Sequence, residues 1–314
     1  MKIILTITIL ILTSFKINAQ NTFEIFKGSL ISDVVQNSNN DFYYCGWNYA
    51  NFNAYLLKTN SSGIQSWEKN IYGYPNSGVT WGDRFEKLLL LNNSLYLSGT
   101  FTEVLGSSQY NSDFLLFKTD LSGNELFSKK FNSGGQYYDE GYFLTNTNDN
   151  RLILGGKGWD GSGQYGAFIR TDLAGTISND NLGNPSPFIQ GPINDIIETD
   201  DNHFITLSSQ IVKTDSLYNK IWRILVPSTE FYSITSYDNN IFYAVGSKFD
   251  NNTNQTDRIF LKFNSTGNIL YSKEYNDSDC NISSSNAKYE PEYFSSIDTT
   301  IDNNLILSGV VSTN

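Results

Sequence analysis

The 314-residue sequence contains one histidine, two cysteines, one methionine and six prolines. Metal centres built from imidazole and thiolate have almost nothing to draw on, and the same holds for a Ser or Cys nucleophile paired with a His base. Two cysteines, Cys45 and Cys280, cannot staple a disulfide scaffold. Basic residues are also scarce. With 21 Lys and Arg against 32 Asp and Glu the formal charge is −11, which leaves no material for a basic face and excludes nucleic acid as a partner class. What the chain does have is aromatics, at 15 % of residues against 17 % charged, with abundant Asn, Ser and Gly. That mixture suits many short strands joined by tight turns and argues against disorder.

The first residues, MKIILTITILILTSFKINAQ, place Lys2 before an apolar stretch from Ile3 to Phe15 and then a polar end with the small Ala19. This is the layout of a secretory signal peptide spanning residues 1–19, with cleavage after Ala19. The apolar run is shorter than the ~20 residues of a membrane span and is broken by Lys16, so no span is expected in the mature chain. The expected location is secreted or cell surface. Cys45 lies in the apolar run Phe42 to Gly46, where a small buried thiol is the simplest expectation. A bridge between Cys45 and Cys280 stays open at the level of sequence.

The informative feature is self-similarity. Lys58-Thr-Asn60-Ser-Ser-Gly63, Lys118-Thr-Asp120-Leu-Ser-Gly123, Arg170-Thr-Asp172-Leu-Ala-Gly175 and Lys262-Phe-Asn264-Ser-Thr-Gly267 are variants of one phrase. A fifth copy, Lys213-Thr-Asp215-Ser-Leu-Tyr218, has lost the glycine and offers Asn219 beside it. The copies begin at 58, 118, 170, 213 and 262, a period near fifty and thus a repeat architecture. Each copy follows a short apolar run. Seven residues after the Asn or Asp stands an aromatic in four copies (Trp67, Phe127, Trp222 and Tyr271), whereas the third has Asn179. The phrase reads as a hairpin turn: Asn or Asp caps the backbone, Gly takes the left-handed conformation, and the aromatic rides in the returning strand.

A second hairpin precedes each phrase, turning on Asn/Asp clusters such as Asn92-Asn93 and Asn148-Asp149-Asn150 and followed by runs such as Leu95-Tyr-Leu-Ser-Gly99. Two hairpins make four strands per repeat. Runs such as Phe114 to Phe117 and Leu88 to Leu91 do not alternate, so both faces of those strands must be covered. The last strand of each unit mixes aromatics with charge, as in Phe127-Ser-Lys-Lys-Phe131, which suits an outer edge protected by lysine. The fold class expected is all-β, a β-propeller of four-stranded antiparallel blades. Blades are placed at about 29–74, 83–132, 136–183, 193–227 and 231–277 within a propeller domain of residues 20–314. A partial sixth at 293–314 reads as cut off inside a repeat. Residues 22–28 resemble an outer strand that could close the ring.

The pattern Lys-Thr-Asp-x-x-Gly-x-x-x-Trp after Leu-x-Leu-x-Gly resembles the repeats of secreted β-propeller proteins of the Bacteroidota, and is similar to quinoprotein-like Trp-docking repeats. The first resemblance implies export and a C-terminal sorting domain of the type IX kind downstream of the propeller. The second implies a pyrroloquinoline quinone site only where an adjacent cysteine pair exists, and none does here, so no cofactor is expected.

Chemistry-bearing residues are few. His203 follows the turn Asp200-Asp201-Asn202 with no nucleophile motif near it and reads as a turn residue. Asp250 to Asp257 and Asp277-Ser-Asp279 offer oxygen ligands for a structural calcium ion but lack the spacing of a calcium loop. Asp139-Glu140 and Glu290-Pro-Glu292 are the carboxylate pairs a glycosidase could use; solvated turn positions are the simpler reading of both. Five arginines, two of them in or beside the repeat phrase, do not form the cluster a sialidase needs. Trp81, in Gly78-Val-Thr-Trp-Gly82, and Trp159-Asp160, in a Gly-rich loop, are the candidate ligand-binding residues, since Trp can stack on a sugar or a partner protein with Asp as acceptor. No catalytic or metal site is expected. The function expected is a secreted, non-enzymatic scaffold or binding module for protein or glycan. The alternative is a polysaccharide-active enzyme, a hydrolase or lyase, on the same ring.

Overall fold

Twenty-one strands and no helix make up the residues that the computed structural model describes: 29–48, 53–71, 82–106, 109–133, 138–159, 163–177, 191–238, 240–275, 293–299 and 304–310. They form six antiparallel sheets, each a meander in chain order. Blade 1 is Ser29–Gln36 (β1), Phe42–Asn48 (β2), Asn53–Thr59 (β3) and Gln65–Ile71 (β4). Blade 2 is Arg84–Leu91 (β5), Ser94–Gly106 (β6), Gln109–Asp120 (β7) and Glu125–Phe131 (β8). Blade 3 holds Glu140–Asn146 (β9), Leu152–Trp159 (β10) and Gln164–Thr171 (β11), with Ile177 bridging back to Thr171. Blade 4 is Asp195–Glu198 (β12), Phe204–Leu207 (β13), Ile211–Thr214 (β14) and Lys220–Ile224 (β15). Blade 5 is Thr229–Asp238 (β16), Ile241–Asp250 (β17), Gln255–Asn264 (β18) and Ile269–Tyr275 (β19). Blade 6 is described as Tyr293–Thr299 (β20) and Leu305–Val310 (β21). The first strands β1, β5, β9, β12, β16 and β20 stand side by side in that order, so the sheets radiate from one axis. The expected leader at 1–19 and the ring-closing strand at 22–28 lie outside the described residues.

The non-alternating runs are buried from both sides, by a different neighbour on each. In β6, Leu95 and Leu97 pack with Tyr43, Cys45 and Leu56 of blade 1, while Tyr96 between them packs with Leu152 and Leu154 of blade 3. Blades 3 and 4 share Phe143, Ile153, Phe168, Phe204 and Val212, and blades 4 and 5 share Ile205, Leu207, Phe231 and Phe242. Each fully buried Leu or Phe contributes ~1.5–3 kcal/mol, so the stability of a blade resides largely in contact with its neighbours.

The glycine that closes each Leu-x-Leu-x-Gly run has a steric cause. The first strands carry an extra residue at matching places, with register slips at Ile31/Asp33, Phe85/Lys87, Phe231/Ser233 and Phe294/Ser296, and across Gly155/Gly156 for β9. Such a bulge bends the strand toward its partner. A Cβ on Gly46, Gly99, Gly156, Gly246 or Gly309 would therefore lie 1.9–2.3 Å from the carbonyl oxygen of Leu30, Arg84, Glu140, Glu230 or Tyr293. Blade 4, whose β12 starts later, has Ser208 at this position.

The repeat phrase folds into five near-identical turns. The side-chain oxygen of Asn60, Asp120, Asp172, Asp215 and Asn264 accepts the N–H groups two and four residues on, at 2.7–3.2 Å. Gly63, Gly123, Gly175 and Gly267 take positive φ. In the fourth copy Tyr218 takes it, at φ 64°, and not Asn219 as its chemistry suggests.

The aromatic seven residues on has a specific seat: Trp67 lies against Gly123 of the next blade, Phe127 against Gly175, and Trp222 against Gly267, with Trp222 Nε1 donating to Ser265 O at 2.9 Å. Repeat 3 has Asn179 where the aromatic belongs, and the next turn carries Tyr218 in place of glycine. The Tyr218 ring is 4.8 Å from Phe168 of blade 3 and 5.5 Å from Phe204.

Candidate functional site

The link between blades 4 and 5 (225–228) and the turns between the second and third strands of those blades (208–210 and 251–254) lie at one end of their sheets, here the upper end. The repeat-phrase turns and the Asn/Asp turns lie at the lower end. Three features mark the axis and the upper end.

The first is a set of charged side chains on the innermost strands. Asp33 of β1, Lys87 of β5 and Asp195 of β12 surround the axis. Burial disfavours the charge of Lys87, but the carboxylates of Asp33 in blade 1 and Asp195 in blade 4 raise its pKa above the ordinary lysine value. Burial raises both acids, with the charge of Lys87 opposing it. All three side chains keep partial contact with solvent. The acids also staple blades together: Asp33 Oδ2 accepts Leu88 N–H at 2.9 Å and Asp195 Oδ2 accepts Ile234 N–H at 3.1 Å. Ser233 Oγ does the same for Ile297 N–H at 3.3 Å. Lys87→Met is expected to cost about 2 kcal/mol, less than the ~3–5 kcal/mol of a fully buried ion pair because all three side chains keep partial contact with solvent. That loss should shrink as pH falls and the acids take up protons. Urea denaturation at pH 7 and pH 4 checks both points.

The second is an ion cluster between blades 2 and 3. Glu140 Oε2 meets Arg84 Nη2 at 2.6 Å and the Tyr142 hydroxyl at 2.8 Å, and Glu140 Oε1 meets Lys157 Nζ at 2.5 Å. Arg84 Nε also meets Glu86 at 2.8 Å. Burial pushes Glu140 upward, but Arg84, Lys157 and Tyr142 outweigh it and hold the carboxyl below its usual range. A carboxylate saturated in this way is poorly placed to exchange protons with a substrate. Neighbouring Asp139 is buried and accepts from Ser133 N–H and Oγ, both at 2.6 Å. The expectation of solvated turn residues is therefore corrected: bulge geometry and inter-blade packing draw this pair into the structure.

The third is a groove of about 530 Å3 at the upper end of blades 4 and 5. The link Leu225-Val226-Pro227 forms part of it, with Phe249 from the end of β17, Thr256 of β18 and Glu230 of β16. Leu225 is 58 % and Phe249 39 % exposed. Phe249 N–H bonds Ser228 O at 2.8 Å, and Phe231 N–H bonds Ser208 O at 3.0 Å, which fixes the link against both blades. Glu230 accepts Asn194 Nδ2 at 2.7 Å, and burial raises its pKa.

Of the sequence-derived candidates, Trp159 is half-buried at the tip of the β10–β11 hairpin, paired with Gln164. Trp81 and Asp160 lie outside the described residues, as do Cys280, Asp277, Asp279, Glu290 and Glu292. Cys45 is a fully buried free thiol whose pKa burial pushes well up. His203 Nδ1 is 2.9 Å from Asp201, which also binds Lys213 at 2.9 Å. Asp250 turns both oxygens onto its own loop, to Asn252 and Thr253. Among the described residues no three His, Cys, Asp or Glu side chains gather as a metal-binding group, and no helix is long and apolar enough to cross a membrane. The groove escaped sequence reasoning; its signal was an apolar inter-blade link, Leu225-Val226-Pro227, where polar turn residues are usual.

No protein-family model and no curated protein matches the chain. Solved structures do. The WD40 repeats of RRP9 superpose with a TM-score of 0.54 at 9 % identity, over 87 % of this chain and 71 % of that one. The Dos1 propeller superposes at 0.53 and 13 % identity, covering 90 % of this chain. This chain spans 65 % of the Dos1 propeller chain. At these identities the likeness concerns the fold alone, and with the six radial sheets it defines the chain as a β-propeller repeat protein.

Proposed function

We propose that the protein is an exported binding scaffold without catalysis of its own, and that its ligand is an apolar segment of another protein seated in the groove over blades 4 and 5. The observation that carries this reading is the groove itself: Leu225, Val226, Pro227 and Phe249 form an open apolar surface on a link tied to two rigid sheets. Rigid sheets that present loops are a common arrangement for binding, and clustered apolar side chains with a polar rim mark interaction sites. Glu230 adds an acceptor for a donor or cation on the ligand. The enzyme alternative loses its best-placed acid pair, because Asp139 and Glu140 are both engaged. Export rests on the leader pattern at 1–19.

Selection from a displayed random-peptide library tests the groove. Enriched peptides are expected to combine apolar residues with a basic or amide group. Leu225→Asp with Phe249→Asp should weaken them at least tenfold while circular dichroism stays unchanged. Failure to enrich any peptide sensitive to those substitutions overturns the reading.

A further inference from the structure

The first strands of blades 3 and 5 carry the same short phrase, Glu140-Gly-Tyr142 in one and Glu230-Phe-Tyr232 in the other. The two glutamates hold matching places. Glu140 pairs with Lys157 across β9 and β10, and Glu230 pairs with Ser247 across β16 and β17. The carbonyl oxygen of each lies against the glycine that closes the following run, Gly156 or Gly246. In both blades the carboxylate also meets a donor from the preceding blade.

The partners differ in charge. Glu140 receives two cations, Lys157 Nζ at 2.5 Å and Arg84 Nη2 at 2.6 Å, together with the Tyr142 hydroxyl. Glu230 receives the neutral amide of Asn194, whose Nδ2 donates at 2.7 Å. Ser247 stands where Lys157 stands in blade 3, and its Oγ lies 3.0 Å from the Tyr232 hydroxyl, so the tyrosine that serves the acid in blade 3 serves the serine in blade 5. The nearest cations in the two strands beside it are engaged elsewhere: Lys248 meets Glu274 of β19 at 2.5 Å, and Arg258, paired with Ser247, lies over the Phe294 ring of blade 6 at 5.7 Å. Among the described residues no Lys, Arg or His forms an ion pair with Glu230. Burial lifts its carboxyl and Asn194 alone opposes, the reverse of the downward shift at Glu140. A partly buried carboxylate without a counter-charge is costly, and a cation arriving with a ligand recovers that cost through a charge-assisted hydrogen bond. Glu230 and Ser247 both line the groove over blades 4 and 5.

We propose that the segment seated in this groove carries a lysine, whose ammonium takes beside Glu230 the place that Lys157 takes beside Glu140, while its apolar neighbours cover Leu225 and Phe249. The apolar surface supplies area, and Glu230 sets the choice among apolar segments. This inference rests on the groove being the ligand site.

Two synthetic bead libraries with identical random apolar flanks, one fixing lysine at the centre and the other its uncharged analogue norleucine, are screened against the full chain. The best binders are remade as lysine and norleucine twins and titrated by fluorescence anisotropy. Each lysine peptide is expected to bind the unaltered protein at least tenfold more tightly than its twin, a comparison that needs no variant to fold. Glu230→Gln should reduce that ratio below threefold. Ser247→Lys, which supplies an internal cation as in blade 3, should do the same, with circular dichroism confirming the fold of both variants. Twins of equal affinity, both lost in Leu225→Asp with Phe249→Asp, overturn this inference and leave the groove reading standing. A lysine preference that survives Glu230→Gln in a folded protein also overturns it. Libraries that yield no binder sensitive to Leu225→Asp with Phe249→Asp overturn both.

Discussion

Replacing Gly246 by alanine lowers stability by about 3 kcal/mol or more, the upper end of the usual cost of overfilling a packed site. The added methyl would sit 2.0 Å from Glu230 O and 2.8 Å from Phe231 Cα. Both are backbone atoms of β16, held by the bulge and by the Phe231 N–H bond to Ser208, so no side-chain rotation relieves the clash. The midpoint of urea unfolding reads the loss. Gly163→Ala is the control: nothing lies within 4 Å of its would-be Cβ, and the expected change is within ~0.5 kcal/mol. Equal stability of the two variants would show that β16 can move away from β17, contrary to the packing described.

The second large effect depends on pH. Asp83 is 2 % exposed, and burial lifts its carboxyl to about 6, with the Thr102 N–H and the charge of Lys130 only partly opposing. An unfolded Asp titrates near 4. Between about pH 4 and pH 6 the folded chain therefore holds a proton at Asp83 that the unfolded chain has released, and this group lowers stability as pH rises through that window. Asp83→Asn keeps an oxygen to accept the Thr102 N–H, which Asp83 Oδ1 meets at 2.7 Å, and removes the titration. Relative to wild type the variant should gain on the order of 3 kcal/mol between pH 3.5 and pH 7, about 1.4 kcal/mol per pKa unit. Paired urea titrations at the two pH values measure it. A gap independent of pH would place the Asp83 pKa near its ordinary value and refute the assignment.

Much of the architecture was legible because it is local and repeated. Turn chemistry is spelled within six residues, as in Lys118 to Gly123, and a strand covered on both faces is spelled by consecutive apolar residues such as Leu95 to Leu97. Contacts between repeats were less legible. The sequence shows an aromatic seven residues after each turn, but that Trp67 meets Gly123 depends on how neighbouring sheets are set about the axis. The same holds for the chemistry at the centre. Asp33, Lys87 and Asp195 are separated by 54 and 108 residues and share no motif; only the radial arrangement brings them together. Asp139 and Glu140 looked solvated because a short acidic run beside Gly usually is, and the packing of blade 2 against blade 3 decided otherwise. The groove was missed for a related reason, since its walls come from two blades.

Tyr218 bears on how the ring could be re-engineered. The Tyr218 ring packs on Phe168 of the third unit and on Phe204 of its own, so the third and fourth units form a couple joined by a contact that a glycine at this turn position could not make. Permuting the modules or grafting a consensus unit between them would break that contact even if every module kept its internal hydrogen bonds.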